Sequence, residues 1–249
     1  MSAAERVAKT GSLSPALLGE VDLELRLEAA SDLEFAGLIL GSPDAVLRVL
    51  GDSHLSPAAV PKRRAEFAAG RHAAALALSR FGCAEPVQRE PSGAPRWPAG
   101  FVGSISHGAG VAVAVAARAG NYRGVGIDVE AWISAAQAAE LGSQVLCSAE
   151  LELLARALPD LSAASRSLLG FSIKESLYKC LNPIADEFIE FTDALVARVV
   201  PRTPSSGKIW LSLQKSFTGE LDAGTEVSGC YVLGAERVET LAWLQWRLS

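Results

Sequence analysis

The chain is poor in the residues that build metal-stapled or disulfide-bonded scaffolds. Its four cysteines, Cys83, Cys147, Cys180 and Cys230, stand far apart, and no C-x-x-C pair occurs. That spacing argues against structural zinc. It favours free thiols over two disulfides, since no secretory signal is visible at the start. Positive charge is in deficit: 23 Lys and Arg against 28 Asp and Glu leave a net charge of -5. Nucleic-acid binding rests on neutralising phosphates, so that role is not expected. The longest apolar run, Gly110 to Ala117, falls well short of the roughly 20 residues that span a bilayer. The G-x-S-x-G elbow of one serine-hydrolase class is absent. No repeat, low-complexity tract or charge block appears. What remains is the expectation of a soluble, cytoplasmic chain with ordinary globular composition, 49% hydrophobic and 20% charged.

With 249 residues there is room for two halves, expected at 1–122 and 123–249. After a loose lead-in, alternation from Val21 to Leu27 predicts a half-buried strand, Ser31 to Ile39 is ambiguous, and Leu47 to Gly51 reads as a further strand. Pro61 opens a helix over Lys62–Phe81, which Gly82 ends. Glu90 to Gly100 is a Pro- and Gly-rich loop. Phe101–Ser106 and Val111–Ala117 read as strands joined by a turn at His107–Gly110. Val125–Glu130 is the next strand. Ser148 is expected to cap a helix running to about Leu158, and Ser165–Leu181 forms a longer one that Asn182-Pro183 breaks. Strands then follow over Ile189–Val200, Lys208–Leu213, Val227–Gly234 and Val238–Trp246. Helices mixed with antiparallel-looking strands predict an α+β fold.

Four stretches carry groups with chemical potential. In Gly124-Val125-Gly126-Ile127-Asp128-Val129-Glu130, strand alternation puts Asp128 and Glu130 on one face, about 7 Å apart, and turns Ile127 and Val129 into the core. Two such acids suit a hard divalent cation, or else they are a solvated strand edge. In Phe171–Lys179, Glu175 and Lys179 lie four apart on one helical face, a spacing that a plain surface ion pair also has. Gly103-Ser104-Ile105-Ser106-His107-Gly108 can present side chains and N–H groups to a phosphate, or simply form a turn. The helix Lys62–His72 carries Arg63, and it sets Arg64 and Arg71 nearly on one face, a phosphate clamp or a solvated basic face.

Singly these are ambiguous; in this order they resemble one family. GSISH, then GVGIDVE, then FSIKESLYKCL look like the 4′-phosphopantetheinyl transferases of the surfactin-activating type. The KRRAEFAAGRHAA helix and the GAPRWPAG loop are similar to the enterobactin-synthase-associated branch, and the resemblance spans residues 60 to 195. It implies a pseudo-dimer of two similar α/β halves with the active site in the cleft between them. It implies transfer of the 4′-phosphopantetheine arm of coenzyme A to a serine of apo acyl or peptidyl carrier proteins, releasing 3′,5′-ADP. The carriers would serve polyketide, nonribosomal peptide or siderophore synthesis. It assigns Asp128, Glu130 and Glu175 to magnesium, with manganese as an alternative ion. Glu175, Lys179 and Lys174 become the catalytic set, Lys179 and Lys174 at the phosphates. Ser106, His107, Arg63, Arg71 and Lys62 become the coenzyme A set. An internal pseudo-dimer needs no partner subunit, so a monomer is expected. One departure stands out: related sequences carry lysine where this chain has Ser92, with Arg89 and Arg96 nearby. Two other readings stay open on the residues alone, a non-catalytic coenzyme A-binding subunit and a magnesium-dependent hydrolase of its pyrophosphate.

Overall fold

A computed structural model describes residues 33–39, 61–185, 187–218 and 220–246. The strands expected at Val21–Leu27 and Leu47–Gly51 lie outside the described residues. The ambiguous stretch forms strand β1, Leu33–Ile39. Helix α1, Pro61–Ser79, follows as expected. The stretch 90–100, expected as a loop, contains strand β3, Pro95–Arg96, which pairs with β2, Gln88–Arg89, in a minimal ladder. Strands β4, Phe101–Gly108, and β5, Val111–Arg118, are longer than expected. Their turn shrinks to Ala109 and Gly110, both at positive φ, which leaves His107 inside β4. Strand β6 runs Tyr122–Ala131.

Helix α2, Ala135–Val145, went unseen in the sequence. Its start is marked by a reciprocal capping box, Ser134 with Gln137. Helix α3, Ser148–Ala157, is capped by Cys147 rather than Ser148, because the Glu150 carboxylate reaches back to the Cys147 N–H at 2.9 Å. Helix α4, Ala163–Ala185, begins earlier than expected and runs through Pro183. That proline falls in the last turn and costs the helix one backbone N–H bond there. A short 3₁₀ turn, Phe191–Asp193, delays strand β7 to Ala194–Thr203. Strands β8, Ser206–Leu213, β9, Glu226–Leu233, and β10, Arg237–Gln245, are the last of the described elements.

The strands form a three-stranded antiparallel sheet, β1-β5-β4, and a five-stranded one, β6-β10-β9-β8-β7. The fold is α+β, as the mixed pattern implies. The Val-Ala alternation of β5 explains the stacking of its layers. Ala114 and Ala116 face α1, where Ala73, Ala74, Ala77 and Leu78 approach closely. Val111, Val113 and Val115 face the larger sheet, packing with Ile127, Val129, Leu241 and Trp243. The opposite face of that sheet takes α4 through Leu169, Ile173, Leu177 and Leu181.

The contact between α4 and β6 sets up the site. Gly124, Gly126 and Asp128 share a face of β6, and α4 lies across it. A Cβ at Gly126 would run into the Ser176 carbonyl oxygen, and one at Gly124 into that of Cys180. The glycines of GVGIDVE therefore let helix backbone rest on strand backbone. Ser172, one turn before Ser176, comes down on Asp128, so the helix descends the strand in antiparallel fashion.

Candidate active site

Strand β4 lies along β6 on the side away from β10. Ser104 Oγ accepts from the Ile127 N–H at 3.2 Å, and Ser106 Oγ donates to Asp128 Oδ1 at 3.1 Å. Asp128, buried at 2% exposure, is thus held between β4 and α4. Ser172 Oγ donates to its Oδ2 at 2.8 Å. Lys179 Nζ closes on Oδ1 at 2.6 Å and on Ser106 Oγ at 3.2 Å. Glu175, one turn before Lys179, and Glu130, two residues after Asp128, flank this pair and are both part-buried.

The electrostatics show that the three acids crowd one another. Burial first, then the charges of Asp128 and Glu175, push Glu130 up to about 7, against the pull of Lys179. Glu175 is raised as well, by burial and by Asp128, again opposed by Lys179. Three carboxylates face one ammonium, which leaves excess negative charge. Among the described residues no three His, Cys, Asp or Glu groups are gathered closely enough to hold a metal as they stand, and Asp128 is engaged by Lys179 instead. The donor set is nonetheless all oxygen, anionic and partly wet, which fits magnesium and not a soft metal.

Lys174 does not join this cluster. Its side chain is 2% exposed and paired with Glu150 Oε1 at 2.9 Å. It also donates to the Val145 and Phe191 carbonyls, each at 2.8 Å. Its three protons are thereby used by protein acceptors. The expectation that Lys174 stands at the phosphates is corrected: the phase of α4 turns Lys179 to the cleft and Lys174 inward.

Ser106 belongs to the carboxylate network through its side chain. His107, next along β4, is exposed and alternates to the opposite face, which Ile105 shares as it packs on α1. Phe81 stacks against Phe101, with ring centroids 5.4 Å apart, and Ile105 meets Gly70. Helix α1 therefore runs antiparallel to β4, and its first turns, with exposed Arg63, lie toward the His107 end. Arg71 Nη2 donates to the Gln88 carbonyl at 3.2 Å and lies 4.8 Å over the Phe67 ring. Burial and the charge of Arg89 both lower its proton affinity. Arg89 thus stands beside Arg71, while Arg96 pairs with Glu90 at 3.4 Å. Lys62 lies in the first turn of α1, with its side chain outside the described residues.

A cleft of about 890 Å³ opens between these elements, lined among others by Ser92, Trp97, Gly103, Gly124, Lys179 and Asn182. Across α4 a second groove of about 490 Å³ is walled by Glu175, Tyr178, Phe188 and Phe191. Sequence reasoning passed over Ser172 and Thr240, both at 0% exposure, and the local signal for either is slight. Thr240 reaches Asp128 only through the β6–β10 register.

A strand acid, a helix acid and a helix lysine thus lie together, with the lysine lining the cleft. Residues 52–117 match the family model for the 4'-phosphopantetheinyl transferase N-terminal domain, and 124–225 that for the 4'-phosphopantetheinyl transferase superfamily. The chain is 32% identical to 4'-phosphopantetheinyl transferase PptT of Mycobacterium tuberculosis over 178 residues, 71% of this chain and 76% of that protein. It is 33% identical to 4'-phosphopantetheinyl transferase Npt of Nocardia iowensis over 179 residues, 70% and 74% of the two chains. Enterobactin synthase component D of Salmonella typhimurium is 39% identical over 121 residues, 49% of each chain. The chain belongs to the 4′-phosphopantetheinyl transferase family.

Proposed function

We propose that the chain moves the phosphopantetheine arm of coenzyme A onto a serine of apo acyl or peptidyl carrier proteins, with the Asp128–Glu130–Glu175–Lys179 cluster as its reacting centre. The observation that carries this is the convergence of a strand and a distant helix on one buried carboxylate beside the cleft. Asp128, Glu130 and Glu175 would hold a magnesium ion, which would supply charge neutralisation for phosphate transfer. Lys179 passes from Asp128 to the departing 3′,5′-ADP phosphate and offsets the charge that develops there. Glu175 takes the proton of the carrier serine at its carboxylate. Arg71 and Arg89, two guanidinium groups close enough to repel, suit a phosphate of the nucleotide, with Arg63 and His107 toward the same end of α1. Arg89 supplies a positive charge in the loop where Ser92 offers none. The halves 1–122 and 123–249 would each contribute one wall of the cleft, and one chain would suffice as the working unit. Among the described residues no helix is long and apolar enough to cross a membrane.

The test is intact-mass analysis of apo carriers incubated with coenzyme A and magnesium. The parental chain adds the phosphopantetheine mass and releases 3′,5′-ADP in equal amount. Asp128→Ala is expected to lose most of the magnesium-dependent transfer while keeping its far-UV spectrum. Labelling by folded Asp128→Ala at near parental rate removes the carboxylate assignment.

A further inference from the structure

Three hydroxyls with no exposed surface lie between α4, β6 and β10: Ser172, Ser176 and Thr240, each 0% exposed. Thr240 is the β10 residue directly opposite Asp128. Ser176 Oγ lies 3.0 Å from the Thr240 carbonyl oxygen and 2.8 Å from Thr240 Oγ1. Thr240 Oγ1 lies 2.9 Å from Ser172 Oγ, and Ser172 Oγ lies 2.8 Å from Asp128 Oδ2.

The protons can be assigned from the carboxylate end. Asp128, ion-paired with Lys179, only accepts, so the single Ser172 proton goes to Oδ2. The Ser172–Thr240 contact then needs the Thr240 proton. With that proton committed, the Ser176–Thr240 contact needs the Ser176 proton, shared between the Thr240 hydroxyl and carbonyl oxygens. Every hydroxyl proton is thereby placed, and the chain points one way: Ser176 to Thr240 to Ser172 to Asp128. Close packing of α4 on β6 asks only for small residues, and alanine would meet that need. Burying hydroxyls is favourable only when each is paired, and here the pairing ends on the carboxylate.

We infer that Ser172, oriented by Thr240, is a positioning residue that pins Asp128 Oδ2 and so fixes the orientation of the carboxylate that would hold the cation. The inference rests on the proposed role of Asp128 as a metal-holding carboxylate. Without the pin, Oδ2 loses its partner and only the Ser106 and Lys179 contacts on Oδ1 restrain the carboxylate. Loss of such an outer partner lowers metal affinity by about 10–100-fold in metalloproteins.

The experiment titrates the full chain with Mn²⁺ and follows free Mn²⁺ by electron paramagnetic resonance. The variants are Ser172→Ala, Thr240→Val, Thr240→Ser and Asp128→Asn, each checked by thermal melting. Ser172→Ala is expected to weaken Mn²⁺ binding by about 10–100-fold. Thr240→Val is expected to weaken it less, and Thr240→Ser, which keeps the hydroxyl, to recover what Thr240→Val loses. Excess Mn²⁺ should restore the transfer rate of Ser172→Ala, which a packing defect would not allow. Folded Ser172→Ala with parental Mn²⁺ affinity overturns the inference while Asp128→Asn, if weakened, leaves the metal reading standing. Should Ser172→Ala fail to fold, equal affinities for Thr240→Val and Thr240→Ser overturn it instead. A parental chain that binds Mn²⁺ no better than Asp128→Asn sinks the metal reading itself, and this inference with it.

Discussion

Replacing Gly126 by alanine tests how the site is assembled without altering any polar side chain. The new methyl would collide with the Ser176 carbonyl oxygen and the Cys180 backbone nitrogen. Both are helix backbone, so no side-chain rotation relieves the clash. Helix α4 must lift from β6 by on the order of an ångström to restore ordinary contact distances. Overpacking of this kind costs about 1–3 kcal/mol, and the rigid backbone on both sides points to the upper end. In a chain of this size about 3 kcal/mol lowers Tm by roughly 6–12 °C. The same movement carries Glu175 and Lys179 away from Asp128 and Glu130. A displacement near 1 Å costs on the order of 100-fold in rate when alignment matters. Thermal melting and carrier labelling would be read together, with Gly120→Ala as the control, since nothing lies within 4 Å of a Cβ there. Gly126→Ala that melts within a degree or two of the parent and labels carriers at the parental rate refutes the packing argument.

Two further outcomes follow from charges on either side of α4. Lys174→Met should destabilise by about 3–5 kcal/mol, because it strands the buried Glu150 carboxylate, whereas Lys174→Met with Glu150→Gln, which removes the charge but keeps an acceptor for the Val196 N–H, should regain part of that loss; urea midpoints decide, and a double variant no better than the single one counts against the ion-pair account. Glu130 has its proton affinity raised to about 7, so the folded, metal-free chain binds this proton more tightly than the unfolded chain. Stability from this group is therefore greatest below about pH 4.5 and falls as pH rises to about 7. The group is partly wet, which discounts the effect to about 1 kcal/mol, or roughly 2–4 °C in Tm. In chelator, the parent should lose that much between pH 5 and pH 8 relative to Glu130→Gln, and millimolar magnesium should narrow the gap; identical pH profiles for the two proteins would contradict the crowding of acids described above.

The amino-acid order alone determined what depends on neighbours a few residues apart. Period-two alternation set Asp128 and Glu130 on one face of a strand and sent Ile127 and Val129 into the core between the sheets. Helical spacing joined Glu175 to Lys179. The order of the GSISH, GVGIDVE and FSIKESLYKCL stretches pointed to the family that the comparisons establish. Tertiary structure decided which helical face is buried, and so separated Lys174 from Lys179 although both precede or follow the same glutamate. It also supplied the partners drawn from far along the chain, Ser106 on β4, Ser172 on α4 and Thr240 on β10, around a single carboxylate. The reason is one of range. Periodicity and capping act through a turn or two of backbone, whereas the phase of a helix and the register of a sheet are set by the whole surface each must cover.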